Sequence, residues 1–317
     1  MRNRRSTGGL FAVLVAAGFL LTAWGSAGLG TRPAAALAAL APTTAHSFPT
    51  PIRHVFLLML ENTELGDAMR NGSYERYLAS HYSFAGQYYS LEHYSLPNYL
   101  AVTSGTATNL FQVLNVTNLA DLFGSAGLTW KGEEESMPFP CDSVDSGGYD
   151  HFHNPWVTYG NIVNRLTRCV SHVVNFTALN ASRTSGVYPN YNFVVPNRTH
   201  DGHDTNVSVA DSWLRSFLSP LVNASIFRTS VFFITYDEGT TNLGVSNSTN
   251  GGGHVYFAAV SPYSVTGFNS TKQYSDYSVF TTTEWLLGLG HTGHHDNWST
   301  YPPMKDLFSF SNNTTGK

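Results

Sequence analysis

The sequence predicts a three-layer α/β/α fold in which helices cover both faces of a mostly parallel central sheet. Four apolar runs have the length of strands that are buried on both faces, at 52–60, 191–195, 230–236 and 254–261. Stretches with helical character lie between them, at 97–103, 209–222 and 278–290. Strands that alternate with helices along one chain are typical of this architecture. The chain has 317 residues, of which 42% are hydrophobic, so it can bury one large core.

The first 45 residues are predicted to be an export segment that precedes this fold. They begin with MRNRR, continue with an uncharged run from Gly9 to Gly30 and end in an Ala-rich tail. This order matches a signal peptide, although the uncharged run is also long enough for a retained membrane anchor. In both cases we expect residues 46–317 to form one domain outside the cytoplasm, secreted or at the cell surface. Membrane association is expected only if the segment is retained.

Composition limits the partners of this domain. The net charge of -4 gives no basic excess for binding nucleic acid. Cys141 and Cys169, the two cysteines of the chain, suit one disulfide in an oxidising compartment, and the alternative is two buried thiols. Twelve Asn-x-Ser/Thr sequons predict glycosylated surface loops, although an Asn- and Thr-rich chain produces several by chance.

Polar side chains that suit a metal ion lie at the ends of the predicted strands. They are Glu61 and Asn62, His203 and Asp204, Asp237 and Glu238, and His254. In a parallel sheet, ligand sites lie beyond the carboxyl ends of the strands, so we expect these side chains to meet at one edge. Taken singly, each pair has a structural explanation as a turn or a helix cap. Together, oxygen ligands and neutral imidazoles predict a divalent-metal site.

The first predicted helix begins next to a serine with two explanations. Ser95 precedes Leu96-Pro97, and proline is favoured in the first turn of a helix, so Ser95 lies at or beside the N-cap. As a plain cap it would contribute about 1 kcal/mol. Alternatively, a metal-bound hydroxyl at a helix N-terminus is a nucleophile, and the exposed N–H groups there receive the phosphate that it attacks. Asn98, in the same turn, could donate to a phosphoryl oxygen.

Several histidines remain ambiguous from the sequence. His93 and His153 either face the phosphate or have a structural role. The group of His291, His294 and His295 after the last predicted helix is either a metal cluster or a solvated loop.

The chain resembles the phosphoesterase family that contains acid phosphatases and phosphatidylcholine-type phospholipases C, within the alkaline phosphatase superfamily. The resemblance covers nearly the whole body of the chain, in the order typical of that family. The matching stretches are HVFLLMLEN (54–62), SLPNYLAVTSG (95–105), WKGEEESMPFPC (130–141), HNP (153–155), PNRTHDGHD (196–204), FFITYDEG (232–239), GGHVYFAAVSPY (252–263) and YSDYSVFTTTEWLLGLG (274–290).

The resemblance implies an alkaline-phosphatase-like fold and a role for each matching residue. Glu61 and Asn62 match the first pair of metal ligands, Ser95 matches the nucleophile, and Asp237 with Glu238 matches the later acidic pair. His203, Asp204 and His254 match positions that hold a second metal or the phosphate in superfamily relatives. The chain departs from the family at Tyr94, where proline is usual, at Phe152, where a basic residue often stands, and at Glu238, where some relatives have aspartate or histidine.

The function implied is a secreted, metal-dependent acid phosphatase that acts on a small phosphate ester through a phosphoseryl intermediate, with a divalent ion as cofactor. A monoesterase is favoured because about 270 residues barely exceed a catalytic domain. The alternatives are a phospholipase C or other phosphodiesterase, and a surface binding protein that keeps the fold without turnover. Histidines titrate near pH 6.5, which predicts highest activity below pH 7.

Overall fold

A mixed sheet of eight strands forms the centre of the molecule, in the order β5-β4-β6-β1-β7-β8-β2-β9. The computed structural model describes residues 45–110 and 112–310, so residues 1–44 of the predicted export segment lie outside the described residues. The strands are β1 His54–Leu60, β2 Ser83–Ala85, β3 Tyr88–Tyr89, β4 Trp130–Glu134, β5 Val173–Asn175, β6 Tyr191–Val195, β7 Ser230–Tyr236, β8 Phe257–Val260, β9 Asn269–Ser270 and β10 Tyr274–Ser275. Strand β8 runs antiparallel to both of its neighbours, and β3 pairs with β10 in a separate ribbon.

Helices and short 3₁₀ turns connect these strands. The helices are α1 Leu65–Asn71, α2 Ser73–His81, α3 Ser95–Ser104, α4 Leu119–Ala126, α5 Gly160–Val163, α6 Leu166–His172, α7 Phe176–Ser185, α8 Val207–Val222 and α9 Asp276–Leu287. The 3₁₀ turns are His151–His153, Pro155–Val157, Ser225–Thr229, Val245–Asn247 and Lys305–Leu307. None of the helices in the described part of the chain has both the length and the apolar character needed to cross a bilayer.

Aromatic contacts show that the sheet is covered on both faces. On one face, Phe193 of β6 contacts Tyr99 of α3, which packs in turn against α9. On the other face, Phe56 of β1 stacks on Phe232 of β7, and Phe227 contacts that same ring. Phe56 and Phe193 point to opposite faces because Phe193 is in register with Leu57, the neighbour of Phe56. The three-layer α/β/α prediction is therefore confirmed.

The mainly apolar composition of the central strands explains why they are buried in the middle of the sheet. Strands β1, β6 and β7 are apolar on both faces, and all of their residues except the partly exposed His54 are buried. Parallel pairing of β1 with β6 and with β7 places the carboxyl ends of all three at the same edge of the sheet. This edge carries the candidate site.

The two cysteines are paired. A disulfide joins Cys141, in the loop after β4, to Cys169 of α6, with 5.4 Å between their Cα atoms. It fastens this loop to the edge of the sheet on the β4 and β5 side. Of the two alternatives from the sequence, a disulfide or two buried thiols, the structure has the disulfide.

Candidate active site

Three carboxylates meet at the carboxyl edge of the central strands. Glu61 follows β1, Asp201 lies in the loop after β6, and Asp237 follows β7, and each is fully buried. The backbone holds them together, because Glu61 N donates to Asp201 O at 3.0 Å and Asp237 N donates to Leu60 O at 2.9 Å. The order β6-β1-β7 thus converts three distant parts of the sequence into one cluster.

The electrostatics of this cluster favour either a bound proton or a bound cation. Burial, followed by the charges of Asp237 and Asp201, raises the pKa of Glu61 well above its usual range. Burial also raises the pKa of Asp201 and Asp237, although hydrogen-bond donors partly oppose this effect. One oxygen of each aspartate, Oδ2, is buried without a hydrogen-bond partner. Buried carboxylate oxygens that lack partners suit a divalent cation with oxygen ligands.

Ser95 lies directly against this cluster. It is the first residue of α3, and its Oγ donates to Glu61 Oε2 at 3.1 Å. One turn later, the hydroxyl of Tyr99 donates to the other oxygen, Glu61 Oε1. Tyr94, which precedes Ser95, has a φ of 79°, a conformation that costs a non-glycine residue about 1–3 kcal/mol. The backbone turn at Tyr94 sets the direction in which α3 begins, and in this direction the Ser95 hydroxyl points to the carboxylates.

His153 fills the space between two of the carboxylates. Its Nε2 lies 3.5 Å from Glu61 Oε1 and its Nδ1 lies 3.6 Å from Asp201 Oδ2. The ring is almost fully buried and stacks on Tyr99, with ring centroids 5.5 Å apart. His153 therefore lies at the cluster and lines the cleft above it.

Glu238 lies at the rim of the cluster and is held by two contacts. Its Oε2 accepts from Tyr94 N at 3.1 Å and lies 2.7 Å from His93 Nδ1. Burial and the neighbouring Asp237 raise the pKa of Glu238 to about 6. Desolvation lowers the pKa of His93, but the hydrogen bond to Glu238 and its charge outweigh this, so the pKa is raised overall. His93 therefore lies at the rim of the cluster and holds Glu238 through this contact.

Asp204 lies outside the carboxylate cluster, in contrast to its prediction as a metal ligand. Its side chain is 48% exposed and accepts from Arg198 Nη2 at 2.8 Å. Asp204 Oδ1 also lies 2.8 Å from Nδ1 of His203, whose ring lines the cleft. The hydrogen bond to His203 lowers the pKa of Asp204. Asp204 and Arg198 thus both contact Nδ1 of His203, which leaves Nε2 as the nitrogen that can act on a substrate.

Asn62 lies at the cluster as predicted, whereas Asn98 and His254 do not. Asn62 N donates to Asp237 Oδ1 at 3.0 Å, and its side chain lines the cleft. The Asn98 amide is fully buried and bonds the backbone of the loop before α3, with Oδ1 accepting from Glu92 N and Nδ2 donating to Glu92 O. The ring of His254 stacks on Tyr89, and its Nε2 lies 3.0 Å from Gly86 O. The side chains of Asn98 and His254 support loops next to the site.

A cleft of about 440 Å³ opens above these groups. Its walls include Asn62, Ser95, Asp150, His153, His203 and Glu238. It combines a helix N-terminus, which attracts anions, with buried oxygen donors, which attract a cation. Such a site can bind a phosphate group beside a metal ion and present the Ser95 hydroxyl to phosphorus.

Sequence reasoning missed three groups at this site. Asp201 and Arg198 belong to the quoted stretch PNRTHDGHD, but the nearby His203 and Asp204 were chosen instead. Asp150 Oδ2 lies 4.0 Å from His153 Nε2 and from Arg198 Nε, and it directly precedes the His151–His153 turn, of which only His153 was predicted as a site residue.

Comparison with known proteins determines the family. A family model described as "Phosphoesterase family" matches residues 68–290. The chain belongs to the phosphoesterase family. This confirms the predicted resemblance.

Curated relatives carry two kinds of name. The chain is 30% identical to a "Probable acid phosphatase" of Kluyveromyces lactis over 77% of its own length and 60% of the relative. It is 31% identical to a "Phosphatidylinositol-3-phosphatase" of Mycobacterium tuberculosis, over 94% of this chain and 93% of that protein. The chain thus spans about half to three fifths of the length of the fungal acid phosphatases that it matches, which include one from Aspergillus fumigatus covered over 56% of its length.

Solved structures show the same fold at low sequence identity. A protein of the alkaline phosphatase superfamily from Vibrio parahaemolyticus has a TM-score of 0.56 and 12% identity, over 78% of this chain and 70% of that one. Murine ectonucleotide pyrophosphatase/phosphodiesterase 5 has a TM-score of 0.57 and 11% identity, over 81% of this chain and all of that one. These similarities confirm the alkaline-phosphatase-like fold.

Proposed function

We propose that the protein is a secreted, metal-dependent phosphomonoesterase of the acid phosphatase type that works through a phosphoseryl intermediate. The observation that carries this proposal is the hydroxyl of Ser95 at the N-terminus of α3, bonded to Glu61 within a cluster of buried carboxylates. A helix cap alone would not need three buried acids beside it. The names of the curated relatives, acid phosphatase and phosphatidylinositol-3-phosphatase, support phosphomonoesters as substrates.

The donor set fits a divalent metal ion. The residues that would hold it are Glu61, Asn62, Ser95, Asp237 and Glu238, joined by Asp201 in place of Asp204. When bound, such an ion neutralises the carboxylates, favours the ionised serine and stabilises negative charge on the phosphoryl group. The buried Oδ2 atoms of Asp201 and Asp237 would gain a partner in this way.

The protein groups have distinct roles in the reaction. Ser95 Oγ attacks phosphorus while its proton moves toward Glu61 Oε2, its hydrogen-bond acceptor. The backbone amides in the first turn of α3, which lack partners within the helix, receive a phosphoryl oxygen. His203 Nε2 gives a proton to the departing oxygen, and Asp204 holds the ring through Nδ1. Water then attacks the phosphoserine, which releases phosphate and restores Ser95.

A serine substitution with a matched control tests the nucleophile. Ser95→Ala is expected to reduce turnover of a phosphomonoester by several orders of magnitude and to change the melting temperature by a few degrees at most, because its hydroxyl caps no helix and makes one hydrogen bond, to Glu61. Ser73→Ala is the control, because Ser73 also opens a helix and its hydroxyl bonds Asp211, away from the cleft. Its turnover should remain near that of the wild type.

Acid quenching and chelation complete the test. Quenching the wild-type enzyme during turnover should trap phosphate on the peptide that contains Ser95, and a chelator should abolish activity. A panel of a monoester, a diester and phosphatidylcholine separates the monoesterase from a phospholipase C or other phosphodiesterase. Near-normal turnover by folded Ser95→Ala protein would refute the proposed nucleophile, and no turnover of any ester by metal-loaded wild type would favour a binding protein.

A further inference from the structure

A second cavity adjoins the catalytic cleft and differs from it in character. It has a volume of about 390 Å³. Leu96 and Phe152 line both cavities, so the two are neighbours with a shared wall. The other walls of the second cavity are formed by Val113, Val157 and Val163, with His151 and the uncharged polar residues Gln112, Ser143 and Thr158 at its border. Its described lining contains no lysine, arginine or carboxylate.

The two cavities are neighbours because residues that are adjacent in the sequence line one or the other of them. Ser95 faces the carboxylates, and the next residue, Leu96, forms the shared wall. In the turn His151–His153, His153 contacts Glu61 and Asp201, whereas His151 lines the second cavity and Phe152 lines both. A group that is bound at Ser95 therefore lies next to an apolar surface. In α3 that surface is Leu96, the residue after Ser95, and in the turn it is Phe152, the residue before His153.

A third cavity adjoins the catalytic cleft at Asn62. That third cavity, of about 490 Å³, is lined mainly by polar residues that include Asp67, Asn71 and Asn206. A leaving group thus has two alternative locations, one apolar and one polar. The apolar cavity lies beside the nucleophile itself, whereas the polar cavity shares only Asn62 with the cleft.

We propose that the cavity lined by Leu96, Val113, Phe152, Val157 and Val163 is a leaving-group subsite that selects phosphomonoesters of apolar alcohols. This proposal rests on the proposed phosphomonoesterase function and adds its substrate class. Small-molecule sites are commonly clefts of about 300–1,000 Å³ lined by apolar and aromatic side chains with a few polar groups, and the two neighbouring cavities are of this size and kind. The phosphate would be held by the polar cleft and the alcohol by the apolar one.

A series of alkyl phosphates tests the subsite because chain length changes the apolar contact while the leaving oxygen stays chemically similar. With metal-loaded full-length protein, kcat/KM is expected to rise about fourfold per methylene from ethyl to hexyl phosphate, which corresponds to about 0.8 kcal/mol per buried methylene. The increase should stop once the cavity is filled. Equal kcat/KM for ethyl and hexyl phosphate, or a preference for glycerol phosphate over both, would overturn the proposal.

A surface substitution locates the effect. Val113 is half exposed, so Val113→Asn is compatible with folding, and it should lower the hexyl-to-ethyl ratio about fourfold, the effect of one lost methylene contact. Val187→Asn is the matched control, since Val187 is 72% exposed and lines neither cavity. It should keep the wild-type ratio. The same ratio in all three proteins would place the alkyl chain elsewhere and refute the assignment.

Alkylphosphonates separate this proposal from the proposed function. They cannot be hydrolysed as phosphate esters, so calorimetric binding of ethyl- and hexylphosphonate reports the subsite without turnover. Tighter binding of the hexyl compound without hydrolysis of any ester would support the subsite and refute the phosphatase. Hydrolysis of all esters together with equal binding of both phosphonates would support the phosphatase and refute the subsite.

Discussion

At the scale of single residues, substitutions of the two aspartates in the loop after β6 are expected to have different effects. Asp201 is fully buried in the carboxylate cluster, whereas Asp204 is half exposed beside Arg198. We expect Asp201→Asn to lose bound metal and activity together, because it removes a buried charged ligand. Asp204→Asn should keep its metal and lose about a hundredfold in kcat, the lower range for general-acid catalysis, because His203 loses its orienting partner. Metal content by mass spectrometry and kcat on a phosphomonoester check both.

The reverse result would exchange the two roles. Full metal content in Asp201→Asn, with loss of metal in Asp204→Asn, would mean that the loop has another conformation in the active protein. Melting temperatures serve as the control for folding in both variants.

The sequence predicted most of the residues at the cluster, but it did not predict that Asp201, and not Asp204, lies there. Glu61, Asn62, Asp237 and Glu238 follow directly from strands whose ends are fixed by the sheet, so their positions follow from the apolar pattern. Asp201 and Asp204 lie in a loop, and their directions depend on hydrogen bonds such as that from His203 N to Asp201 Oδ1, at 2.7 Å. The periodicity of apolar residues in the sequence does not predict such a hydrogen bond. The positions of Asn98 and His254 depend on similar contacts, because the Asn98 side chain hydrogen-bonds the backbone of the loop just before α3 and His254 Nε2 lies 3.0 Å from Gly86 O.

At the scale of elements, the C-terminal end of α3 fixes the position of its N-terminal serine. Gly105 ends the helix with a φ of 71°, and the segment after α9 packs onto it. His295 Nδ1 lies 2.7 Å from Gly105 O, and the ring stacks on Tyr277 of α9. The histidines near the chain end, considered above as a metal cluster or a solvated loop, thus include one that supports the helix of the nucleophile.

A pair of glycine substitutions tests this packing. A Cβ at Gly105 would lie 1.8 Å from His294 O, whereas a Cβ at Gly186, with a φ of 73°, would meet no atom within 4 Å. Gly186→Ala should cost about 1–2 kcal/mol from backbone strain alone. Gly105→Ala should lower the free energy of unfolding by more than this, and lower kcat as well, because the end of α3 must move. Urea unfolding and kcat measure the two effects, and equal costs for the two variants would contradict the account.

Element prediction succeeded where burial and pattern agree and failed where polar residues enter the core. The predicted strands 191–195 and 230–236 match β6 and β7, since both are continuous apolar runs. Strand β4 was not predicted, because Lys131, Glu133 and Glu134 interrupt its apolar pattern. Both glutamates are nevertheless buried, which a sequence pattern cannot show. The run at 254–261 was predicted correctly as a strand, but apolar character alone does not reveal that β8 is antiparallel.

At the scale of the whole molecule, the core contains carboxyl groups whose burial favours the neutral form. Glu75, Glu133 and Asp276 are fully buried at separate places in the fold. In each case burial is the largest influence, and it raises the pKa of Glu75 to about 8, that of Glu133 to about 8 and that of Asp276 to about 8. Both oxygens of Glu133 lack a hydrogen-bond partner, so ionisation of this group has little compensation within the fold.

These groups predict that the protein is most stable in acid. In the unfolded chain carboxyl groups titrate near pH 4, so between about pH 4 and pH 8 the folded state binds more protons than the unfolded state. The free energy of unfolding therefore falls as pH rises through this range, with a limiting slope of about 1.4 kcal/mol per pH unit for one such group. We expect the melting temperature of chelator-treated protein to be several degrees higher at pH 5 than at pH 8. Glu133→Gln, which cannot ionise, should reduce this difference, whereas Asp67→Asn, at an exposed carboxylate paired with Arg70, should leave it as in the wild type. A melting temperature that rises from pH 5 to pH 8, or a Glu133→Gln protein with the wild-type pH dependence, would show that these carboxyl groups ionise within the folded protein.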